Sequence, residues 1–140
     1  MSTLAIGAAA PDFTLYNTEK QAIKLSDLKG EKALLLFFPL AFTGVCTTEL
    51  CNMRDNIATY NNANTKVFGI SVDSPFALGE FKKQQNLNFD LLSDFNAEIA
   101  NAYGAKYEDF VLGMKNVAKR SAFVIDEEGN TLAKMLTELE

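Results

Sequence analysis

Six consecutive apolar residues, Ala33-Leu34-Leu35-Leu36-Phe37-Phe38, stop at Pro39, and a helix-compatible segment begins near Thr43, a residue type favoured at helix N-caps. Even with the loop residues to Phe42 counted, the apolar stretch 33–42 falls well short of the roughly 20 residues needed to span a bilayer. It reads as a buried central strand running through a loop into a helix. Cys46 is then expected at the third residue of that helix. There the unpaired backbone N–H groups and the positive end of the helix dipole favour a thiolate over a thiol.

The rest of the chain alternates strand and helix signals around this junction. Phe13 to Tyr16 and Ala22 to Leu25, separated by Asn17-Thr18-Glu19-Lys20, read as an N-terminal hairpin. A helix is expected from about Thr43 to Tyr60, with Cys46, Leu50, Met53 and Ile57 facing one way and the cluster Asn61-Asn62-Ala63-Asn64 ending it. Lys66 to Val72 reads as a second buried strand, and Asp73-Ser74-Pro75 supplies a cap and a first-turn proline for a helix to about Gln85. A short strand from Phe89 to Leu92 precedes a helix from Asn96 to Tyr103, and a less regular segment extends to Lys119. Ser121 to Ile125 and Thr131 to Met135, flanking Asp126-Glu127-Glu128-Gly129-Asn130, form a second hairpin. This order predicts an α/β sandwich in one domain over residues 1–140, with 48% hydrophobic residues to build its core and no linker or repeat.

Composition narrows the chemistry. Thirteen basic residues against 18 acidic ones give a net charge of −5, with no basic cluster, so nucleic-acid binding is not expected. The start Met1-Ser2-Thr3-Leu4-Ala5-Ile6 lacks the cationic flank and apolar core of a secretory signal, which points to a reducing cytoplasm and no membrane association. The absence of histidine excludes a Ser-His-Asp triad, a Cys-His dyad and His-ligated metals. Two cysteines are too few for a Cys-rich zinc site, since four ligands would have to include carboxylates, and the reading reached below involves no metal and no organic cofactor. An activated Cys46 would have to rely on dipoles, hydrogen bonds and a guanidinium.

The spacing P-x-x-x-T-x-x-C, here Pro39, Thr43 and Cys46, resembles the active-site motif of peroxiredoxins, thiol peroxidases of thioredoxin-like fold. Ala10-Pro11-Asp12-Phe13-Thr14-Leu15 resembles that family's opening strand, Leu25-Ser26-Asp27-Leu28-Lys29-Gly30 its next turn, and Arg120-Ser121-Ala122-Phe123-Val124-Ile125-Asp126 its arginine-bearing strand. Phe42 to Cys46 and Arg54-Asp55-Asn56 are most similar to the small atypical branch, which includes the bacterioferritin-comigratory and AhpE-like groups. The second cysteine favours the former. The resemblance implies a Cys46 thiolate that attacks a peroxide oxygen and becomes a sulfenic acid. It also implies that Thr43 hydrogen-bonds the sulfur or the peroxide, Pro39 shields the thiolate, Arg120 points at the sulfur, and Glu49 helps fix the arginine network. The residue types alone also fit plainer roles: a buried apolar cysteine, an N-cap threonine, a strand-ending proline, a surface arginine, and a solvated pair of Glu49 with Arg54.

Cys46 and Cys51, as C-x4-C, resemble the resolving arrangement of the bacterioferritin-comigratory group. Five residues of intact helix separate two side chains by about 140° around the axis and about 7.5 Å along it, so a disulfide would require unwinding. The other reading is an inert buried Cys51, with an external reductant acting on Cys46. The family usually carries one more helix after the last strand, whereas only Leu136-Thr137-Glu138-Leu139-Glu140 follow here, so a truncated C-terminus is expected. The expected activity is reduction of hydrogen peroxide or small organic hydroperoxides, with thioredoxin or another thiol as reductant and a monomer or weak homodimer as the working form. A thioredoxin-like disulfide oxidoreductase would need C-x-x-C, which Val45 and Thr47-Thr48 do not supply. A redox-inactive interaction domain of the same fold is the remaining alternative.

Overall fold

The computed structural model describes residues 5–136; within them, the side chains of Val45, Cys46, Thr47, Glu49 and Leu136 lie outside the description. The elements run β1 (Thr14–Asn17), β2 (Ala22–Lys24), β3 (Lys32–Phe37), α1 (Gly44–Asp55), α2 (Ile57–Asn62), β4 (Thr65–Ser71), α3 (Pro75–Gln85), β5 (Asp90–Ser93), α4 (Glu98–Ala102), β6 (Lys106–Asp109), β7 (Lys115–Ala118), β8 (Ser121–Ile125) and β9 (Thr131–Leu136). Seven strands form one sheet in the order β2-β1-β5-β4-β3-β8-β9. β3, β4 and β5 are parallel, and the remaining pairings are antiparallel. This is the α/β sandwich expected, with both hairpins where the turn residues put them.

The apolar run at 33–38 becomes the middle of the sheet because its successive side chains serve opposite layers. Ala33, Leu35 and Phe37 enter one core with Phe68, Ile70, Phe123 and, from α4 and its exit, Ala100 and Tyr103. Leu34 and Phe38 enter the other with Leu50 of α1, Val67, Leu91 and the α3 residues Leu78 and Phe81. A strand buried on both faces needs no polar alternation, which is why the run is continuous. Met53 and Ile57 pack against the second core as their helical spacing predicts.

Tyr103 anchors the first layer. Its ring lies 5.5 Å from that of Phe37 and 5.3 Å from that of Phe123, and its hydroxyl donates to the Pro11 carbonyl at 2.8 Å. The buried Asp94 carboxylate accepts from the Ile99 and Ala100 amides at 3.1 and 2.8 Å, filling the open donors at the start of α4.

Two expectations change. The helix foreseen from Thr43 to Tyr60 is two helices, α1 and α2, separated at Asn56. There the Asn56 side-chain amide donates to the Asn52 carbonyl at 2.7 Å, a local side-chain bond that competes with continuation of the helix. The segment before Lys119, expected to be irregular, contains the separate antiparallel pair β6–β7. Its first strand, Lys106-Tyr107-Glu108-Asp109, has too little apolar alternation to announce itself, and its turn depends on the left-handed Leu112 (φ 60°) and Gly113 (φ 76°). The expectation of a truncated C-terminus concerns residues 137–140, which lie outside the described residues. Among the described residues, no helix is long and apolar enough to cross a membrane.

Tyr103→Phe, which removes the bond to Pro11 and keeps the ring, is expected to lower unfolding free energy by about 1 kcal/mol, whereas Phe123→Ala should cost roughly 3–5 kcal/mol through the cavity it leaves. Urea denaturation of the two variants checks the difference; equal losses would mean that the ring cluster does not carry this layer.

Candidate active site

β3 is an interior strand of the sheet, flanked by β4 and β8, and everything around the candidate nucleophile is placed by its C-terminal end. The Phe38 amide donates to the Ile70 carbonyl at 3.0 Å, extending the ladder by one residue before the buried Pro39 turns the chain out. The Ala41 amide then donates to the Asp73 carboxylate at 2.7 Å. The same carboxylate oxygen accepts the Ser71 hydroxyl at 2.7 Å, and the Asp73 carbonyl accepts from the Ser93 hydroxyl at 2.7 Å. The loop is thus tied to the C-terminal ends of β4 and β5 by a charge-assisted bond.

Phe42 next adopts φ 69°, the left-handed region that bulky residues avoid, and its ring packs edge-on against Phe81 at 5.0 Å. That contact helps hold the strained turn from which α1 departs. Thr43 sits at the N-cap with φ −89° and ψ 151°, and its hydroxyl donates to the Leu40 carbonyl at 3.0 Å. Gly44 and Val45 follow, so Cys46 is the third residue of α1, as expected. The first-turn amides of such a helix have no intrahelical partners, and they present partial positive charge to whatever lies before them.

Arg120 reaches the same end of the sheet from far along the chain. β3 and β8 pair with Phe37 opposite Ser121 and Leu36 opposite Ala122, so the residue before Ser121 falls at the level where β3 gives way to Pro39. Arg120 is half-buried and lines a cavity of about 320 Å³ together with Phe38, Leu50, Met53 and Met135. Leu50 stands one helical turn after position 46 on α1. The fold therefore gathers Pro39, Thr43, the backbone of Cys46 and Arg120 at one sheet end. The side chains of Cys46 and Glu49 are among those outside the description.

Cys51 is a free, half-buried cysteine whose Sγ donates to Gln85 Oε1 at 3.5 Å. Arg54 pairs with Asp55 at 2.9 Å and donates to the Gln85 carbonyl at 2.5 Å. The Asp55 hydrogen bond holds the Arg54 guanidinium above its ordinary range, against a smaller opposing effect of burial. Sequence reasoning named Gln85 only as the end of a helix and Asp73 only as part of a helix cap. Ser74, whose hydroxyl accepts from the Ala77 amide at 3.1 Å, is the residue that caps α3. A free carboxylate beside an already capped helix was the available signal for Asp73; Gln85 had none, since its partners lie 31 and 34 residues away. Among the described residues, no cluster of three or more cysteine, aspartate or glutamate side chains could hold a metal ion.

Residues 6–133 match the AhpC/TSA family. Peroxiredoxin Bcp of Escherichia coli K12 is 35% identical over 130 residues, covering 92% of this chain and 83% of that one. The crystal structure of peroxidoxin BcpB from Mycobacterium tuberculosis superposes with a TM-score of 0.86 at 29% identity, covering 96% of this chain and 87% of that one. A structure of the bacterioferritin comigratory protein of Xanthomonas campestris, from a study of its alkyl peroxide reduction, gives a TM-score of 0.83 at 22% identity over 91% of this chain and 82% of that one. The fold is accordingly that of the thioredoxin-like peroxiredoxins.

Asp73→Ala is expected to leave the Ala41 amide without its acceptor, to lower stability by roughly 2–3 kcal/mol and to abolish slow hydrogen exchange at Ala41. Exchange at Ala41 that stays as slow as in the unsubstituted protein would show that Asp73 does not hold this loop.

Proposed function

From the chain's membership of the AhpC/TSA family, as a peroxiredoxin and hence a thiol-dependent peroxidase, we propose that Cys46 is the thiol that reacts with the peroxide. The observation that carries this reading is the β3–β8 register, which brings Arg120 to the sheet end occupied by Pro39, Thr43 and the N-terminus of α1. The Cys46 thiolate attacks one peroxide oxygen; the O–O bond breaks, the departing oxygen takes a proton and leaves as water or an alcohol, and the sulfur becomes a sulfenic acid. Negative charge thus sits first on sulfur and then on the leaving oxygen. The first-turn amides of α1, the Thr43 hydroxyl and the Arg120 guanidinium are suited to stabilise it, with Pro39 excluding water and Glu49 orienting the arginine.

Hydrogen peroxide and small organic hydroperoxides are the proposed substrates. The alkyl peroxide reduction described for the Xanthomonas campestris relative supports the second class. Cys51 is proposed to resolve the sulfenic acid by forming a Cys46–Cys51 disulfide, which thioredoxin or another thiol then reduces. A cytoplasmic monomer or weak homodimer is the proposed working form.

The unequal anchoring of α1 supports the unwinding that such a disulfide needs. Gly44 and Thr48 are exposed, and the hydroxyl of Thr48 merely bonds back to the Gly44 carbonyl at 3.0 Å. Leu50, by contrast, is buried in the core, and Arg54 bonds across to α3. Among the described side chains, those that anchor α1 thus lie in its second half, which favours opening from the N-terminal turns.

Cys46→Ser is expected to abolish peroxide reduction with the fold intact, and Thr43→Val and Arg120→Met should each slow the thiolate reaction on the order of 10²-fold in stopped-flow kinetics. Turnover in the serine variant, or unchanged rates in both others, would place the chemistry elsewhere. In a Cys51→Ser background the peroxide rate should rise with pH and level off below about 8.5, the value for an unperturbed thiol, because only the ionised sulfur reacts. Protein treated with equimolar peroxide should contain the intramolecular disulfide and exchange amides faster between Gly44 and Leu50; a persistent sulfenic acid would instead assign a one-cysteine cycle.

A further inference from the structure

We propose that Gln85 is a positioning residue that restrains Cys51 and so sets the rate of the resolving step, an inference that rests on the reading of Cys51 as the resolving thiol. Gln85 is the last residue of α3, which closes at Asn86 in the left-handed conformation (φ 51°). It grips α1 twice. Its main-chain carbonyl, one of the acceptors left open at a helix C-terminus, receives Arg54, and its side-chain oxygen receives the Cys51 thiol at 3.5 Å. The Asn88 side-chain amide adds a third tie from the same segment, donating to the Arg54 carbonyl at 3.1 Å.

The chemical consequence follows from which partner donates. An amide oxygen only accepts, so the Cys51 sulfur must carry its proton to make this bond. The resolving attack needs the opposite state: Cys51 gives up its proton, its sulfur electron pair forms a bond to the Cys46 sulfur, the Cys46 S–O bond breaks, and the oxygen leaves as water after taking up a proton. The sulfenic sulfur is reduced and the Cys51 sulfur oxidised, so the two sulfurs balance without an external electron acceptor. The bond to Gln85 thus opposes the step by holding the Cys51 sulfur against α3 rather than towards the start of α1. While the bond lasts, the sulfenic acid remains open to a second peroxide, which carries Cys46 on to the sulfinic acid.

Substitution of the Gln85 side chain leaves its carbonyl, and hence the Arg54 tie, in place. Gln85→Met keeps the length but accepts hydrogen bonds poorly; Gln85→Glu accepts more strongly. Single-turnover kinetics with hydrogen peroxide should show an unchanged first step in both variants. The methionine variant should form the disulfide roughly two- to tenfold faster and the glutamate variant slower, a split given by the ordinary net worth of one hydrogen bond. With excess peroxide, the fraction of Cys46 found as sulfinic acid by mass spectrometry should fall in Gln85→Met and rise in Gln85→Glu. A general loosening of the α1–α3 contact would shift both variants the same way, so parallel shifts, or no shift in either, overturn the restraint while leaving Cys51 as the resolving thiol. Absence of any Cys46–Cys51 disulfide in the unsubstituted protein overturns the resolving reading and the restraint with it.

Discussion

The antiparallel pairing of β3 with β8, with Phe37 opposite Ser121, is the constraint on which the rest of the site depends. It joins residues more than 80 positions apart and settles at which sheet end Arg120 stands. The pairing is secured from both faces, since Leu35, Phe37 and Phe123 pack on one side and Leu34, Phe38, Ala122 and Val124 contribute to the other. Burial of each large apolar side chain contributes about 1.5–3 kcal/mol, and a slip of one residue would exchange the two faces of β8. The register is therefore held by the whole core, far more firmly than any contact within the site could hold it.

The loop between β3 and α1 works under the opposite regime. It has a buried proline, a left-handed phenylalanine and an exposed threonine, and its apolar contacts are made by Pro39, Ala41 and Phe42. Its position is fixed by Asp73, whose carboxylate takes the Ala41 amide and whose own place is set by Ser71 and Ser93. Strain at Phe42 is tolerated because the ring gains contact with Phe81. The turn that leads into α1 is in this way mounted on the ends of two parallel strands, the place where an open α/β sheet leaves room for a ligand.

α1 combines these two regimes in a single helix. From Leu50 onward it belongs to the core and to α3; before Leu50 it carries exposed Gly44 and Thr48. The two cysteines fall on either side of that boundary. A helix of uniform stability would either prevent a disulfide between them or surrender the N-terminal amides that a thiolate needs. With Cys51 in its proposed resolving role, this divided anchoring would let one element serve a folded state for the peroxide and a partly opened one for resolution.

Much of this was legible in the chain itself. Strand-to-helix junctions, hairpin turns and the buried central strand followed from periodicity and from Pro39, Ser74-Pro75 and Gly129, because these depend on contacts within a few residues. The motif Pro39, Thr43, Cys46 was local too, and the family resemblance of the strand it opens made Arg120 a candidate. The break at Asn56 and the β6–β7 pair were not legible, since one turns on a single side-chain bond and the other on a strand with little apolar alternation. The roles of Asp73 and Gln85 lay further out of reach. Each acts on a residue more than 30 positions away, Ala41 in one case and Cys51 and Arg54 in the other, and no local pattern encodes such a partner. Sequence by itself marked the candidates for the chemistry, because reactivity belongs to side-chain type and helix position; only the tertiary structure decided what holds them, because hydrogen bonds across the fold exist only once the sheet has brought its strand ends together.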